Sequence, residues 1–220
     1  DNAYYLDTGW VSSDSTIELP NSSSIWIADK NTIGVNEPVK LTWTSDQNIT
    51  FEKIITLDEN YLFSVDQRVI NNSGLSFDLY PYGLSKRQGI PEMQNFFILH
   101  EGPLSITDGV LEEYDYDDLK DDKKIKHSSV GGWIGMTDKY WQTAIIPNQN
   151  EPVQQTYSYS FVDNIDNFQT DIVGERIAVS NNASISHNFK IFAGPKIVNI
   201  IDKYMDCLLY TSPSPRDFTE

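Results

Sequence analysis

The groups in this sequence that could do chemistry are three histidines, a single cysteine and a run of acidic residues. His100-Glu101 has the opening of a zinc-protease helix, in which a second histidine four residues on supplies the other ligand from the same helical face. Position 104 is leucine and Pro103 would break such a helix, so that ligand set is not completed. His127 follows a charged segment and is expected at the solvent. His187 shares the apolar face of an expected strand with Ile185, Phe189 and Ile191, where the ordinary role is a hydrogen-bonded core histidine. Cys207 stands alone, which excludes an intrachain disulfide and a cysteine-based zinc site. Asp115 and Asp117 occupy the first and third positions of a calcium loop. Leu119, Lys120 and Lys126 then stand where that loop needs a fifth ligand, a glycine and a bidentate glutamate. Gly131-Gly132 and Gly135 are followed by no lysine-serine pair and so make no phosphate loop. No catalytic residue, cofactor or metal ligand is expected.

The chain has 220 residues and a formal net charge of -16. That charge repels phosphate backbones and anionic lipid, and nucleic acid is excluded as a partner. Hydrophobic residues make up 39% and aromatics 12%, enough for a packed core. No apolar run approaches the roughly 18 residues of a membrane span.

The elements that must position these groups read almost entirely as strands. Val39, Leu41 and Trp43 alternate with Lys40, Thr42 and Thr44, a turn follows at Asp46-Gln47-Asn48, and a second strand runs through Phe51, Ile55 and Leu57. Alternation resumes in Tyr61, Phe63, Val65 and Val69 and stops at Asn71-Asn72-Ser73-Gly74. Further strands are expected from Phe77 to Arg87, Asn95 to Thr107, Gly132 to Met136, Tyr140 to Ile146, Val153 to Val162, Phe168 to Ser180 and Ile185 to Phe192. Gly194-Pro195 should break the last strand and open a short helix over Lys196 to Asp206, with Ile197, Ile200, Ile201 and Tyr204 at helical spacing. The segment Asp115 to Lys126 reads as an exposed loop or short helix. Long strands joined by short turns imply antiparallel sheets packed face to face, an all-β sandwich. The aromatics Tyr80, Tyr82, Trp133, Tyr140, Trp141, Tyr157, Tyr159 and Phe161 are expected chiefly to fill that sandwich. Any exposed members would suggest a docking face for apolar segments.

Three stretches resemble a known family: Asp58 to Phe63 leading to Leu79-Tyr80-Pro81-Tyr82-Gly83-Leu84; Gly131-Gly132-Trp133-Ile134-Gly135-Met136 through Tyr140-Trp141 to Pro147; and Phe192-Ala193-Gly194-Pro195-Lys196. In order and spacing they are similar to the first periplasmic domain of Gram-negative YidC-type membrane-protein insertases. The resemblance implies an antiparallel β-supersandwich, galactose-mutarotase-like, with a short C-terminal helix. It covers 1–206, and 207–220 reads as a non-native or disordered tail. It also implies a chain truncated at its N-terminus, with a sheet edge left exposed. By the same resemblance the domain would be non-catalytic and lie in the periplasm, with its parent anchored in the cell inner membrane. Its partners would be the Sec translocon, the SecDF accessory and nascent inner-membrane proteins. A partner surface is expected within Asn95 to Pro147, centred on Asp115, Asp117, Asp118, Asp121 and Asp122. The alternative is a carbohydrate-binding or sugar-epimerase-like supersandwich, which would need a histidine and a carboxylate converging in a cleft.

Overall fold

The computed structural model describes residues 3–90, 100–197 and Tyr204. The alternating segments become two antiparallel sheets packed face to face. The smaller has the order β1 (Tyr4–Val11), β6 (Phe77–Gln88), β13 (Ile165–Gly174), β12 (Pro152–Val162) and β9 (Lys124–Val130), with β14 (Ile177–Val179) also paired to β6. The larger has nine strands: β2 (Ile27–Ala28), β3 (Val39–Thr44), β4 (Ile49–Leu57), β5 (Leu62–Asn71), β15 (Ser184–Pro195), β11 (Trp141–Ile146), β10 (Trp133–Thr137), β7 (Gly102–Thr107) and β8 (Val110–Glu113). The β-supersandwich expected from the sequence is the observed class. The expected strand from Asn95 is described only from Gly102. Of the helix expected over Lys196 to Asp206, Lys196 and Ile197 are not helical, Tyr204 is helical and the rest of 198–206 lies outside the described residues, as does the 207–220 tail.

Several boundaries differ for physical reasons. The single strand expected over Phe168 to Ser180 starts earlier and is broken. It starts at Ile165 because Asp163 and Asn164 both take positive φ, forming the two-residue hairpin turn whose twist matches the strands. It breaks after Gly174 because β6 bonds to β13 through its odd-numbered residues, and the odd residue there is Pro81, which has no N–H to offer. Pairing resumes only at Leu79 with Ile177. Gly194-Pro195 does not break the last strand: β15 keeps its pairing with β11 through Pro195 opposite Trp141. A terminal strand residue can forgo its donor, and Gly194 leaves room for the Tyr61 side chain, whose Cβ lies 2.7 Å from where a Gly194 Cβ would stand.

The charged segment is a helix, α1 (Tyr116–Asp122), followed directly by β9, and it is not simply solvated. Tyr116 and Leu119, three apart on one helical face, are buried, and Tyr116 meets the Phe168 ring edge-on at 4.6 Å. The acidic side chains take the opposite face while the helix closes the sandwich between β8 and β9.

All five residues of β10 are buried, as are five of the six in β11. On the inner face Ile134, Met136 and Ile145 pack against Tyr157, Phe168 and Ile172 of the smaller sheet. On the outer face Trp133, Ala144 and Ile146 pack with Phe192 and Tyr204. Gln155, fully buried, bonds Thr107 Oγ1 and the carbonyls of Ile106 and Trp133, stitching β12 to the other sheet. Gly135 sits where any Cβ would collide with the Thr143 carbonyl of β11. Gly135→Ala should therefore cost about 2 kcal/mol, an overpacking penalty, and Trp133→Ala about 3–5 kcal/mol from the cavity it leaves. Urea midpoints of the two variants check both.

Candidate functional site

The two sheets differ in width, and the smaller does not cover the whole inner face of the larger. Strand β13 lies over β10, β6 over β11 and β9 over β7, so β1, the terminal strand, ends the cover near β15. Beyond it the inner face of β3, β4 and β5 must be covered by something else. At one end the chain after β1 does this, with Ile17, Leu19 and Trp26 packing on Phe51, Val69 and Trp43. At the other end none of the described residues does, and a cleft of about 770 Å³ remains. Its wall is Val39, Leu41, Ile55, Phe63, Val65 and Ile191, its rim is β1 from Leu6 to Thr8, and its lip is the 28–33 loop. Leu41, Ile55 and Phe63 are half-buried, so apolar surface is offered to an occupant.

One charge sits in this apolar wall. Lys53 points inward from β4, bonds the Thr8 carbonyl and pairs with Asp7 at 3.1 Å, with its ammonium 5.3 Å from the centre of the Trp26 ring. A buried-stem lysine with an anchored head closes the middle of the β1 edge without filling the cleft.

A second cleft of about 610 Å³ is polar, lined by Gln149, Glu151, Glu175, Arg176, His187 and Lys190 among others. His187 Nε2 lies 3.1 Å from Glu151 Oε2, while its ring packs against Trp10 and Phe189. Burial lowers the His187 pKa, and the opposing pull of the Glu151 carboxylate does not overcome it. The expectation of a bonded, largely buried histidine on an apolar face agrees with this. His100 instead bonds the Pro103 carbonyl and stands 3.8 Å from Asp115. His127 is not the free surface group expected: Tyr114 meets its Nε2 at 2.8 Å and stacks on its ring. Among the described residues no group of three or more His, Cys, Asp and Glu could hold a metal ion.

The acidic residues singled out in the sequence do share one region. Asp115 is the N-cap of α1, Asp117 pairs with Lys120, and Lys120 reaches Asp166 on β13. Asp117, Asp118, Asp121 and Asp122 are exposed. The motif residues are dispersed through the fold. Tyr80, Pro81 and Gly83 lie on β6, Gly83 beneath Ile145, while Gly131 and Gly132 turn β9 into β10 with positive φ. Trp133 is core, Pro147 lines the polar cleft, and Gly194 and Pro195 end β15. Tyr140, Trp141 and Phe161 do not fill the core and stand 66%, 54% and 60% exposed at strand ends. The apolar cleft was missed because its lining comes from β1, β3, β4, β5 and β15. Its only trace in the sequence is Lys53 standing where alternation calls for an apolar residue.

A family model for the YidC periplasmic domain matches residues 1–211. Curated relatives include the membrane protein insertase YidC of Rickettsia canadensis, 38% identical over 205 residues, and that of Pelagibacter ubique, 38% identical over 210. These alignments take in 93% and 94% of this chain but 37% of each relative, so the chain spans little more than a third of their length. Among solved structures, a galactose mutarotase related enzyme from Lactobacillus acidophilus superposes with a TM-score of 0.55 at 11% identity, covering 78% of this chain and 73% of that one. At that identity the likeness is one of fold. Among the described residues no helix is long and apolar enough to cross a membrane.

The lowered His187 pKa has a consequence for stability. Unfolded, the imidazole titrates near pH ~6.5; folded, it stays neutral to lower pH, so the unfolded chain binds more protons just below that value. The His187 contribution is therefore complete above pH ~6.5 and lost as pH falls toward the folded pKa. His187→Gln should show a smaller drop in urea midpoint between pH 7 and 5 than the unsubstituted chain, and an equal drop would contradict this.

Proposed function

Because this chain belongs to the YidC periplasmic domain family, we propose that it serves a membrane-protein insertase as a non-catalytic docking domain on the periplasmic side of the inner membrane. The observation that carries the reading is the open apolar cleft beside β1, whose wall of Leu41, Ile55 and Phe63 suits apolar stretches of nascent membrane proteins before they reach lipid. The parent would be membrane-anchored, and the Sec translocon and its SecDF accessory would be the assemblies it works beside. The relatives are named as insertases and not for an enzymatic reaction.

The sugar-binding alternative needs a histidine and a carboxylate converging in a cleft, and His187 and Glu151 do meet beside the polar one. The His187 side chain is only 6% exposed and is held between Trp10 and Phe189. Little of the imidazole is left to a ligand, and the family membership favours docking.

The exposed acids of α1 supply the second element of the proposal, a surface for accessory subunits. Asp117, Asp118, Asp121 and Asp122 project from a helix pinned by Tyr116 and Leu119, so a partner with basic groups meets a fixed array of charge.

Two experiments separate these elements. A photoreactive side chain at Leu41, Ile55 or Phe63 of the full-length insertase should cross-link to a nascent inner-membrane protein, while one at Arg68, on the opposite face of β5, should not. Equal yields from both faces would sink the cleft assignment. Replacing the four α1 aspartates with serine should lower SecDF co-purification several-fold while leaving the urea midpoint within about 0.5 kcal/mol of the original, since surface changes of this kind are nearly neutral. Unchanged recovery would remove the acidic surface.

A further inference from the structure

The rim of the apolar cleft is a strand with one side unused. Among the described residues β1 is terminal in its sheet and pairs only with β6. The Gln88 amide bonds the Ala3 carbonyl, and in an antiparallel ladder that parity makes Ala3, Tyr5, Asp7 and Gly9 the residues that exchange bonds with β6. Tyr4, Leu6, Thr8 and Trp10 then direct their N–H and C=O groups away from β6. Of these, Thr8 is satisfied locally: its amide bonds Asp7 Oδ1 at 2.7 Å and its carbonyl takes the Lys53 ammonium. Leu6 has no backbone partner on that side among the described residues, and it lines the cleft.

An edge with unpaired main-chain groups, set against an apolar wall, has the two parts of strand addition: hydrogen bonds for affinity and a surface for alternate side chains. We propose that an extended segment of a client polypeptide, apolar at every second residue, adds antiparallel to β1 and widens the smaller sheet over the bare inner face of β3, β4 and β5. The inference deepens the docking role and rests on it. Antiparallel addition follows the pairing of every other strand in that sheet. Directly opposed residues share a face, so side chains entering the cleft belong to residues whose N–H groups meet Tyr4, Leu6 and Thr8.

Charge selects the occupant. Two copies of this chain would bring together net charges of -16 each, whereas a neutral segment with basic flanks meets no such repulsion. Lys53 and Asp7 guard the edge centre, the device by which sheets resist pairing with their own kind. A segment starting at Tyr4 and Leu6 would dislodge one lysine head to complete its pairing at Thr8.

The test uses a ten-residue peptide alternating valine and threonine, with lysine at each end, capped at both termini and followed by fluorescence anisotropy with the 220-residue chain. Methylating the valine amides, which would face β1, should weaken binding about tenfold or more through lost main-chain hydrogen bonds. Methylating the threonine amides should leave it within about twofold. Leu6→Pro removes the outward-facing donor together with one lining side chain, so it is read against Leu6→Ala, which trims the side chain and keeps the donor: Leu6→Pro should weaken binding of the unmethylated peptide about tenfold relative to Leu6→Ala. Binding indifferent to both changes would overturn strand addition while leaving the cleft as an apolar docking site. No binding by any peptide, with cross-linking from Phe63 intact, would overturn it too. So would self-association lost in Leu6→Pro, which assigns the edge to a second copy. Slow hydrogen exchange of the Leu6 amide in the client-free full-length insertase would likewise overturn it, since the edge would already be occupied. Loss of the cross-links themselves removes the docking role on which the inference rests.

Discussion

Both faces of β10 and β11 are dry, so each layer around them is fixed by what those strands can tolerate. On one side the smaller sheet must supply Tyr157, Phe168 and Ile172; on the other Phe192 and Tyr204 must complete the cover. A strand buried on both faces cannot alternate apolar with polar residues, which accounts for the unbroken Trp133-Ile134-Gly135-Met136 run. Its backbone must also come close to its neighbours. Gly135 against the Thr143 carbonyl and, just before the strand, Gly132 against the Ile106 carbonyl are two of the places where backbone approach leaves no room for a Cβ. Gln155 supplies the polar counterpart, satisfying buried carbonyls on two strands at once from across the layer boundary.

From that fixed centre, the position of the smaller sheet over the larger is determined, and so is its shortfall. With β13 and β6 anchored over β10 and β11, the smaller sheet ends at β1 while the larger continues through β5, β4 and β3. The chain between β1 and β3 covers part of the excess with Ile17, Leu19 and Trp26. The remainder is the apolar cleft. It is thus a consequence of unequal sheet widths, and Lys53 is the feature that keeps such a place from being a plain aggregation edge.

The polar groups follow the same logic. His187 comes from the inward face of β15, where desolvation outweighs the nearby Glu151 carboxylate and holds the ring neutral. Tyr4, whose hydroxyl lies 2.7 Å from Thr143 Oγ1, has its pKa pushed up to about 12 by the same burial. These are structural roles, with titration set by packing. The outer face of α1, with Asp117, Asp118, Asp121 and Asp122, is a charged surface that packing leaves exposed.

The strand content, the antiparallel class and the family were legible in the sequence, because period-two alternation and the Gly131 to Pro147 motif are local patterns. Other local signals went unread: Asp108-Gly109, with positive φ at both residues, turns β7 into β8, and Asp163-Asn164 does the same for β12 and β13. The break at Pro81 was out of reach, since it depends on which side of β6 the missing N–H faces, a matter of ladder parity set by β1 and β13 together. Whether Tyr116 and Leu119 of an acidic segment would be buried depended on a gap between β8 and β9 that exists only once both sheets are assembled. The cleft was decided by tertiary structure alone. Its wall and rim come from five strands far apart in the chain, and no periodicity within any of them records that the opposing sheet stops short of β5, β4 and β3.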